Sequence, residues 1–266
     1  MKEWLRRLIL TCMALFIFAF GWALSEESKV QEVPEMPEAS WSFPVSRETM
    51  EDPQGLLVLA NNRHLLSKDF EPDDLVNIDV RRTSSSKIQM RRIVSDALSL
   101  MFEDAKAEGI ILYVHSGYRS YRTQDVLHYN RVKDMGYDDK LVIQAGASDH
   151  QTGMGADVIS KDWIGKKFNS NFAKTKEAQW LAANCSRYGF IIRYPEGKEE
   201  ITEINFEPWH LRFVGVEAAQ YIMGEGLTLE EFIEQWEAYR DGGGDRESAK
   251  MLSEESQWQI VPVTEP

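Results

Sequence analysis

Residues 148–157 read Ser-Asp-His-Gln-Thr-Gly-Met-Gly-Ala-Asp, and they place an imidazole, carboxylates and two glycines in a stretch without helical or strand periodicity. Val158 and Ile159 follow with strand composition, so Asp157 would be held on a rigid element. His150 and Asp157 are therefore candidate metal ligands. A catalytic zinc ion takes imidazole and carboxylate groups, with three protein ligands and one position left open for water.

A third ligand has to come from another part of the chain, and the best candidate is His210 in the run Glu-Pro-Trp-His at 207–210. Glu207 adds a carboxylate that could serve as a base. On a regular strand Glu207 and His210 would point to opposite faces. Pro208 must therefore mark an irregular or edge geometry if both side chains face one metal ion.

Size and composition limit the classes of protein. The chain has 266 residues and 43% hydrophobic content, enough for one buried domain of roughly 150 to 200 residues plus extensions. A net charge of -13 argues against nucleic acid or an anionic membrane surface as the main partner. Cys12 and Cys185 provide no disulfide framework and no thiolate-rich site, so a metal must be held by histidine and carboxylate. We expect a monomer.

The N-terminus has the pattern of an export signal. Lys2, Arg6 and Arg7 precede an apolar run at 8–24, so residues 1–25 are predicted to be a signal peptide or an N-terminal membrane anchor. The run is near the lower length limit for crossing a bilayer, so cleavage and anchoring both stay open. In either case we expect an exported protein that works outside the cytoplasmic membrane, attached to the membrane if the segment is not cleaved.

The outer segments differ in composition from the body of the chain. Residues 26–50 are acidic and contain three prolines, which predicts a linker. The alternative is an ordered edge segment held by Trp41 and Phe43. The catalytic domain is assigned to 51–240, and 241–266, which include three consecutive glycines, are predicted to be a flexible tail.

Hydrophobic patterns within 51–240 alternate between strand and helix periods, which predicts a single domain that contains both strands and helices. The predicted strands lie at 56–59, 110–114, 157–159, 190–195 and 206–214. A first helix is predicted from the serines at 84–86 to Gly109, and a second, polar helix follows and ends at Gly136. A third helix is predicted at 175–188, and a last one begins at a capping box formed by Thr228 and Glu231.

The strand at 110–114 leads directly into a second polar motif, residues 115–122. Arg119 and Arg122 could form a fork for a small carboxylate, because the planar guanidinium donors match that geometry. The alternative is that they are arginines at a helix start, each paired with a nearby acid.

Three ordered motifs give the chain a family resemblance: Ser-Gly-Tyr-Arg-Ser at 116–120, Ser-x-His-x-x-Gly followed by Asp157 within 148–157, and Glu-Pro-Trp-His at 207–210. They resemble the VanY-type zinc D-alanyl-D-alanine carboxypeptidases, cell-wall enzymes that share a fold with the zinc-containing signalling domain of hedgehog proteins. The similarity extends over roughly 56–223, and it implies an α+β fold, a single zinc peptidase domain with a small antiparallel sheet flanked by helices. One departure is Gly155, where the family motif usually has alanine.

The resemblance implies one zinc ion per chain on His150, Asp157 and His210, with Glu207 as general base. It also implies that Arg119 assists, either by stabilising the developing oxyanion or by holding a terminal carboxylate. Five further side chains are predicted to bind the substrate: Ser116, Tyr118, Gln124, Ser148 and Trp209.

The implied activity is removal of a C-terminal D-alanine from peptidoglycan stem peptides. An L,D-carboxypeptidase or a peptidoglycan endopeptidase would use the same zinc core and stays an alternative. A catalytically silent zinc-containing binding module would be expected to lack an equivalent of Glu207, and its presence favours an enzyme.

Overall fold

The computed structural model describes residues 42–52, 55–137 and 142–241. The strands in these residues are β1 (Leu75–Asn77), β2 (Gln89–Arg91), β3 (Leu112–Ser116), β4 (Gly155–Ser160), β5 (Phe190–Ile192) and β6 (His210–Phe213). The α-helices are α1 (Arg47–Glu51), α2 (Arg92–Ala107), α3 (Tyr121–Met135), α4 (Lys176–Asn184), α5 (Glu199–Thr202), α6 (Val216–Glu225) and α7 (Leu229–Asp241). The α+β architecture is confirmed.

The central sheet is antiparallel and has the order β3-β4-β6-β5, while β1 and β2 form a separate antiparallel ribbon. Between β4 and β6 the register places Asp157 opposite His210 and Gly155 opposite Arg212. Because side chains alternate along a strand, these four positions share one face of the sheet. That face is called the site face below.

The opposite face of the sheet carries the main hydrophobic core. Ala156 and Val158 of β4 and Leu211 and Phe213 of β6 are buried there against α2. The helix contributes an apolar stripe at helical spacing: Val94, Leu98, Met101, Phe102 and Ala105. This packing fixes which way the alternating side chains of β4 and β6 point.

A second core covers part of the site face and corrects the predicted linker boundary. Phe43, Val45 and Met50, assigned to the linker from sequence, are buried together with residues of α6 and α7. The Phe43 ring contacts Phe232 and Tyr239, with centroids 6.0 and 5.2 Å away. Each of these buried side chains contributes about 1.5–3 kcal/mol, which offsets part of the cost of ordering the segment, about 1–2 kcal/mol per residue. The described residues 42–50 thus pack on the domain through Phe43, as the ordered-edge alternative expected, while Trp41 lies outside the described residues.

The predicted strand at 56–59 is wrong. These residues form a turn and irregular backbone, and the carbonyl oxygens of Leu56 and Val58 accept hydrogen bonds from Arg212 Nη2 at 2.9 and 2.6 Å. A buried carbonyl group needs a donor but does not need a strand. The guanidinium group takes the place of a neighbouring strand here.

The helix predicted to end at Gly109 begins later than its apolar pattern suggested. Met90 is buried but lies in β2, paired with Val76 of β1, and the helix starts at Arg92. The β1–β2 ribbon was not predicted, since three-residue strands are too short to show alternation. Its end meets the site loop, because the Arg91 N–H donates to the Gly153 carbonyl at 3.1 Å.

The C-terminal part confirms the predicted capping box. The Thr228 N–H donates to Glu231 Oε2 at 2.7 Å, and the Glu231 N–H donates to Thr228 Oγ1 at 3.1 Å, at the start of α7. Helix α6 was not predicted, although Ala218, Ala219 and Ile222, which it buries, have helical spacing.

The predicted N-terminal segment 1–25, most of the predicted linker and residues 242–266 lie outside the described residues. Among the residues that are described, none of the helices combines the length and apolarity required to cross a membrane.

Candidate active site

Three predicted ligands converge on the site face. The metal cluster consists of His150, Asp157 and His210, each offering a ligand atom within 4.8 Å of the others. His210 Nδ1 lies 2.8 Å from Asp157 Oδ1, and His150 Nε2 lies 3.4 Å from Asp157 Oδ2. The pairing of β4 with β6 fixes Asp157 and His210, and the loop before β4 carries His150.

The loop that carries His150 is shaped by its neighbours. Residues Asp149–Thr152 form one turn of 3-10 helix, capped by Ser148, whose Oγ accepts from the His150 N–H at 3.3 Å. His150 Nδ1 lies 2.7 Å from the Gly117 carbonyl, so it carries the proton and Nε2 is left as the metal-binding nitrogen. At Gly155 a Cβ would lie 2.9 Å from the Asp149 carbonyl carbon, so glycine lets the loop approach the strand closely.

Protonation states in this cluster suit a metal. Burial, and then the charge of Arg119, lower the pKa of His150 to about 4, so its imidazole is neutral near pH 7. Burial alone would raise the pKa of Asp157, but His150 and His210 outweigh it and the pKa falls well below the usual range. Zinc requires neutral imidazole and ionised carboxylate.

The donor set also fits zinc by its chemistry. Nε2 of His210 is buried and has no hydrogen-bond partner within the described part of the chain. Two imidazoles and one carboxylate, with ligand atoms within 4.8 Å of one another, form the three-ligand set of a catalytic zinc site. The residues present therefore fit the ion.

Glu207 reaches the same place because β6 begins only at His210. The His210 N–H donates to the Glu207 carbonyl at 3.1 Å, which closes a turn over Pro208 and Trp209. This turn is the irregular geometry that the sequence required. The Glu207 side chain is 7% exposed, and burial followed by the charge of Asp157 raises its pKa well above the usual value. A bound dication would lower that pKa again, toward the range of a general base.

Arg119 lies beside the metal cluster. Its backbone N–H donates to the His150 carbonyl at 3.1 Å, which anchors the residue beside the site loop. Its Nε is buried without a hydrogen-bond partner among the described residues, and the charges of Asp157 and Glu207 act on the guanidinium group. Arg119 thus holds an unused donor next to the two carboxylates, while Arg122 is exposed on α3.

The five predicted substrate-binding residues divide into two groups, of which the first borders the site. Ser116 is half-buried and pairs with Asp157 in the β3–β4 register. Tyr118 is half-buried, and its backbone N–H donates to the Gln89 carbonyl at 2.8 Å.

The second group is more deeply buried. Gln124 donates to the Ile143 carbonyl at 2.6 Å, although its Oε1 has no partner within the described residues. Ser148 caps the site loop as described above. Trp209 is 3% exposed and stacks on Phe168 with ring centroids 5.1 Å apart. Burial leaves Ser148 and Trp209 little surface for contact with a peptide.

One aromatic residue beside the metal cluster was not predicted. Tyr194 is buried, and its ring stacks on His210 with centroids 5.1 Å apart and an interplanar angle of 23°. The Arg193 guanidinium carbon lies 4.9 Å from the centroid of the Tyr194 ring. The run Arg-Tyr-Pro directly after an apolar strand was the available signal.

A group of buried charges next to the metal cluster was also missed. The ionic cluster consists of Asp149, Arg193, Arg212 and Glu230, all buried. Arg193 Nε donates to Asp149 Oδ2 at 2.6 Å, and its two terminal nitrogens donate to the two oxygens of Glu230 at 2.7 Å. Arg212 Nη1 donates to Asp149 Oδ1. An arginine inside an apolar strand segment requires a buried acid, and that was the signal in both strands.

Comparison with known proteins agrees with this geometry. The family model described as VanY, D-alanyl-D-alanine carboxypeptidase, matches residues 87–216. YodJ of Bacillus subtilis strain 168 is 44% identical over 193 residues, covering 71% of this chain and 70% of YodJ.

Two solved structures are similar in both fold and sequence. The first is the LD-carboxypeptidase LdcB, a structure that reveals the basis of peptidoglycan recognition. It aligns with a TM-score of 0.63 and 43% identity over 67% of this chain and 86% of LdcB. A mutant of the vancomycin-resistance D,D-pentapeptidase VanY in complex with Zn(II) aligns with a TM-score of 0.54 and 31% identity over 66% of this chain and 98% of that structure. The chain therefore belongs to the VanY family of D-alanyl-D-alanine carboxypeptidases, and it is a zinc peptidase of that fold.

Proposed function

We propose that this protein removes a C-terminal D-alanine from peptidoglycan stem peptides outside the cytoplasmic membrane. The observation that carries the proposal is the arrangement around the metal cluster. Glu207 contributes a buried carboxylate, and Arg119, whose charge acts on both Glu207 and Asp157, contributes a buried Nε without a hydrogen-bond partner among the described residues. A substrate with a free terminal carboxylate suits that pairing of a proton acceptor and a cation.

The chemistry divides between the ion and the side chains. A zinc ion, when bound by His150, Asp157 and His210, polarises a carbonyl and lowers the pKa of water toward 7. Glu207 accepts the proton of the attacking water and passes it to the leaving amine of D-alanine. Arg119 donates either to the oxyanion that forms at the scissile carbonyl or to the terminal carboxylate.

The position of the scissile bond separates two candidates. Removal of D-alanine from a pentapeptide ending in D-Ala-D-Ala is the D,D-carboxypeptidase reaction, as in the VanY structure. Removal from a tetrapeptide ending in one D-alanine is the L,D reaction, and the 43% identity to LdcB, against 31% to VanY, favours this second candidate. Both reactions release a terminal D-alanine and use the same side chains.

Export is part of the proposal and is supported by the basic and apolar pattern of residues 1–25. Fractionation of cells that express the full-length protein tests it. Recovery from the membrane fraction supports an anchor, recovery from the medium supports a cleaved signal, and full-length protein in the soluble cytoplasm contradicts export.

The decisive experiment incubates the purified protein with pentapeptide and tetrapeptide muropeptides and follows the products by mass spectrometry. Loss of one alanine from the pentapeptide supports the D,D activity, and loss from the tetrapeptide alone supports the L,D activity. Cleavage inside the stem would make the protein an endopeptidase instead. No cleavage of any muropeptide by zinc-loaded protein would refute the proposed function.

A further inference from the structure

The ionic cluster contacts the metal cluster through two separate routes. The first route runs along the chain, since Asp149 is adjacent to His150 in the 3-10 turn of the site loop. Both carboxylate oxygens of Asp149 are held, one by Arg193 and one by Arg212. The position of Asp149 therefore sets where the backbone places His150.

The second route runs through side chains to the other histidine. The Arg193 guanidinium group lies over the Tyr194 ring, and the second imidazole ligand, His210, stacks on the same ring. Arg212 adds to this route because it lies two residues after His210 on β6 and shares its face of the sheet. Arg193 thus influences both imidazole ligands.

Glu230 holds Arg193 in place and lies outside the metal cluster. It binds the guanidinium group through two parallel hydrogen bonds, a geometry that fixes both distance and plane. Asn61 Nδ2 donates to Glu230 Oε1 at 3.1 Å and fixes the carboxylate in turn. The residue comes from the first turn of α7, far from the site in sequence.

Charge balance gives Glu230 a second effect on a bound cation. Two carboxylates and two guanidinium groups cancel within the ionic cluster. Removal of the Glu230 charge would leave one net positive charge buried behind the site loop, in a region of low dielectric where charges interact strongly. A dication in the metal cluster would be repelled by it.

We propose that Glu230 is a positioning residue for the zinc site, acting on His150 through Arg193 and Asp149 and on His210 through Arg193 and Tyr194. The inference concerns the zinc-binding residues and is independent of which peptide the enzyme cleaves. Loss of a partner that orients a metal ligand typically lowers metal affinity 10- to 100-fold. Such an effect from a residue on α7 would distinguish positioning from ordinary core packing.

The test measures zinc affinity by competition with a chromophoric chelator, at a temperature where each variant is fully folded. Glu230→Gln keeps the shape of the side chain and removes its charge, and we expect roughly 10-fold weaker zinc binding. The matched control is Glu234→Gln, an exposed glutamate on the same helix, which should bind zinc as the wild type does. The absorption spectrum of the Co(II)-loaded protein gives an independent readout of ligand geometry and should shift in Glu230→Gln alone.

Glu230→Asp completes the test, because it retains the charge but shortens the reach to Arg193. We expect its zinc affinity to lie between those of the wild type and Glu230→Gln, and it replaces the glutamine variant if that variant does not fold. A zinc affinity within twofold of the Glu234→Gln control, together with an unchanged Co(II) spectrum, would overturn the proposal even if Glu230 variants unfold at lower temperature. Failure of the muropeptide assay would leave these binding measurements unaffected.

Discussion

The metal cluster and the ionic cluster lie side by side on one face of the same sheet, and they differ in how completely their polar atoms are paired. In the ionic cluster each carboxylate oxygen of Asp149 and Glu230 accepts from an arginine, and Arg212 also donates to three backbone carbonyls. In and around the metal cluster, His210 Nε2 and Arg119 Nε are buried without partners among the described residues.

This difference in the pairing of polar atoms indicates a structural role for the ionic cluster and a catalytic role for the metal cluster. Buried polar groups usually find hydrogen-bond partners, because an unpaired one costs about 1–3 kcal/mol. A cluster that pairs every charge internally has no capacity left for a ligand. A cluster that retains free donors and acceptors at the same depth keeps them for an ion and a substrate, so changes in the two clusters should have different consequences.

The largest expected effect is in the metal cluster. His210→Ala removes one of three ligands, so zinc affinity should fall by more than about 100-fold, beyond the range for losing an orienting partner, and activity should be lost with it. Zinc content after dialysis measures this, with His128→Ala on α3 as a control. A His210→Ala variant that retains stoichiometric zinc would remove His210 from the cluster.

A smaller loss of activity is expected when the three zinc ligands are kept and only the proton acceptor, Glu207, is changed. Glu207→Gln should lower turnover by about 100-fold or more, the scale of losing a general base, while zinc content stays at one ion per chain. Steady-state kinetics and metal analysis of the same preparation test both statements. Full activity in this variant would refute the mechanism even with the zinc site intact.

A change in the ionic cluster should also show in the stability of the metal-free protein, beside the effect on zinc affinity proposed above. Arg212→Met leaves Asp149 with one arginine and removes the guanidinium donor from three backbone carbonyls, so it should lower the free energy of unfolding of the metal-free protein by about 3–5 kcal/mol. Urea unfolding measures this. Arg187→Met, at an exposed arginine, should cost less than about 1 kcal/mol. Equal costs for the two variants would contradict the assigned structural role.

The smallest effect is a dependence on pH. Arg193 outweighs burial and lowers the pKa of Glu230 below its usual value. The folded state therefore gains stability from the ionised group above the unfolded pKa of about 4.3, and this gain disappears as pH falls through the lower folded pKa. The difference in unfolding free energy between wild type and Glu230→Gln should narrow as pH falls below about 4. A difference that stays constant down to pH 2 would contradict this.

Sequence predicted the metal cluster well because its members lie in short motifs with unusual chemistry. The convergence of His150, Asp157 and His210 required only that two motifs meet, and the chemistry of zinc supplied the reason. The doubt about Glu207 concerned its direction, and Pro208 pointed to the backbone turn that precedes β6.

The ionic cluster could not be predicted in the same way. Asp149, Arg193, Arg212 and Glu230 come from four segments separated by 18 to 44 positions along the sequence, and no local period links them. The incorrect strand at 56–59 has the same origin. Its apolar composition was clear, but the partner of its carbonyl groups is a single guanidinium from β6.

The pairing of β4 with β6 has a consequence for folding. A slip of one residue would turn every side chain of β6 to the other face, which would bury His210 and Arg212 in the hydrophobic core and place Leu211 among the charges. Arg212 and Asp149 oppose that slip without any metal, because the misaligned arrangement would leave both charges unpaired. We therefore expect the chain to select its native alignment before zinc arrives, so that the ion enters a site that folding has already shaped.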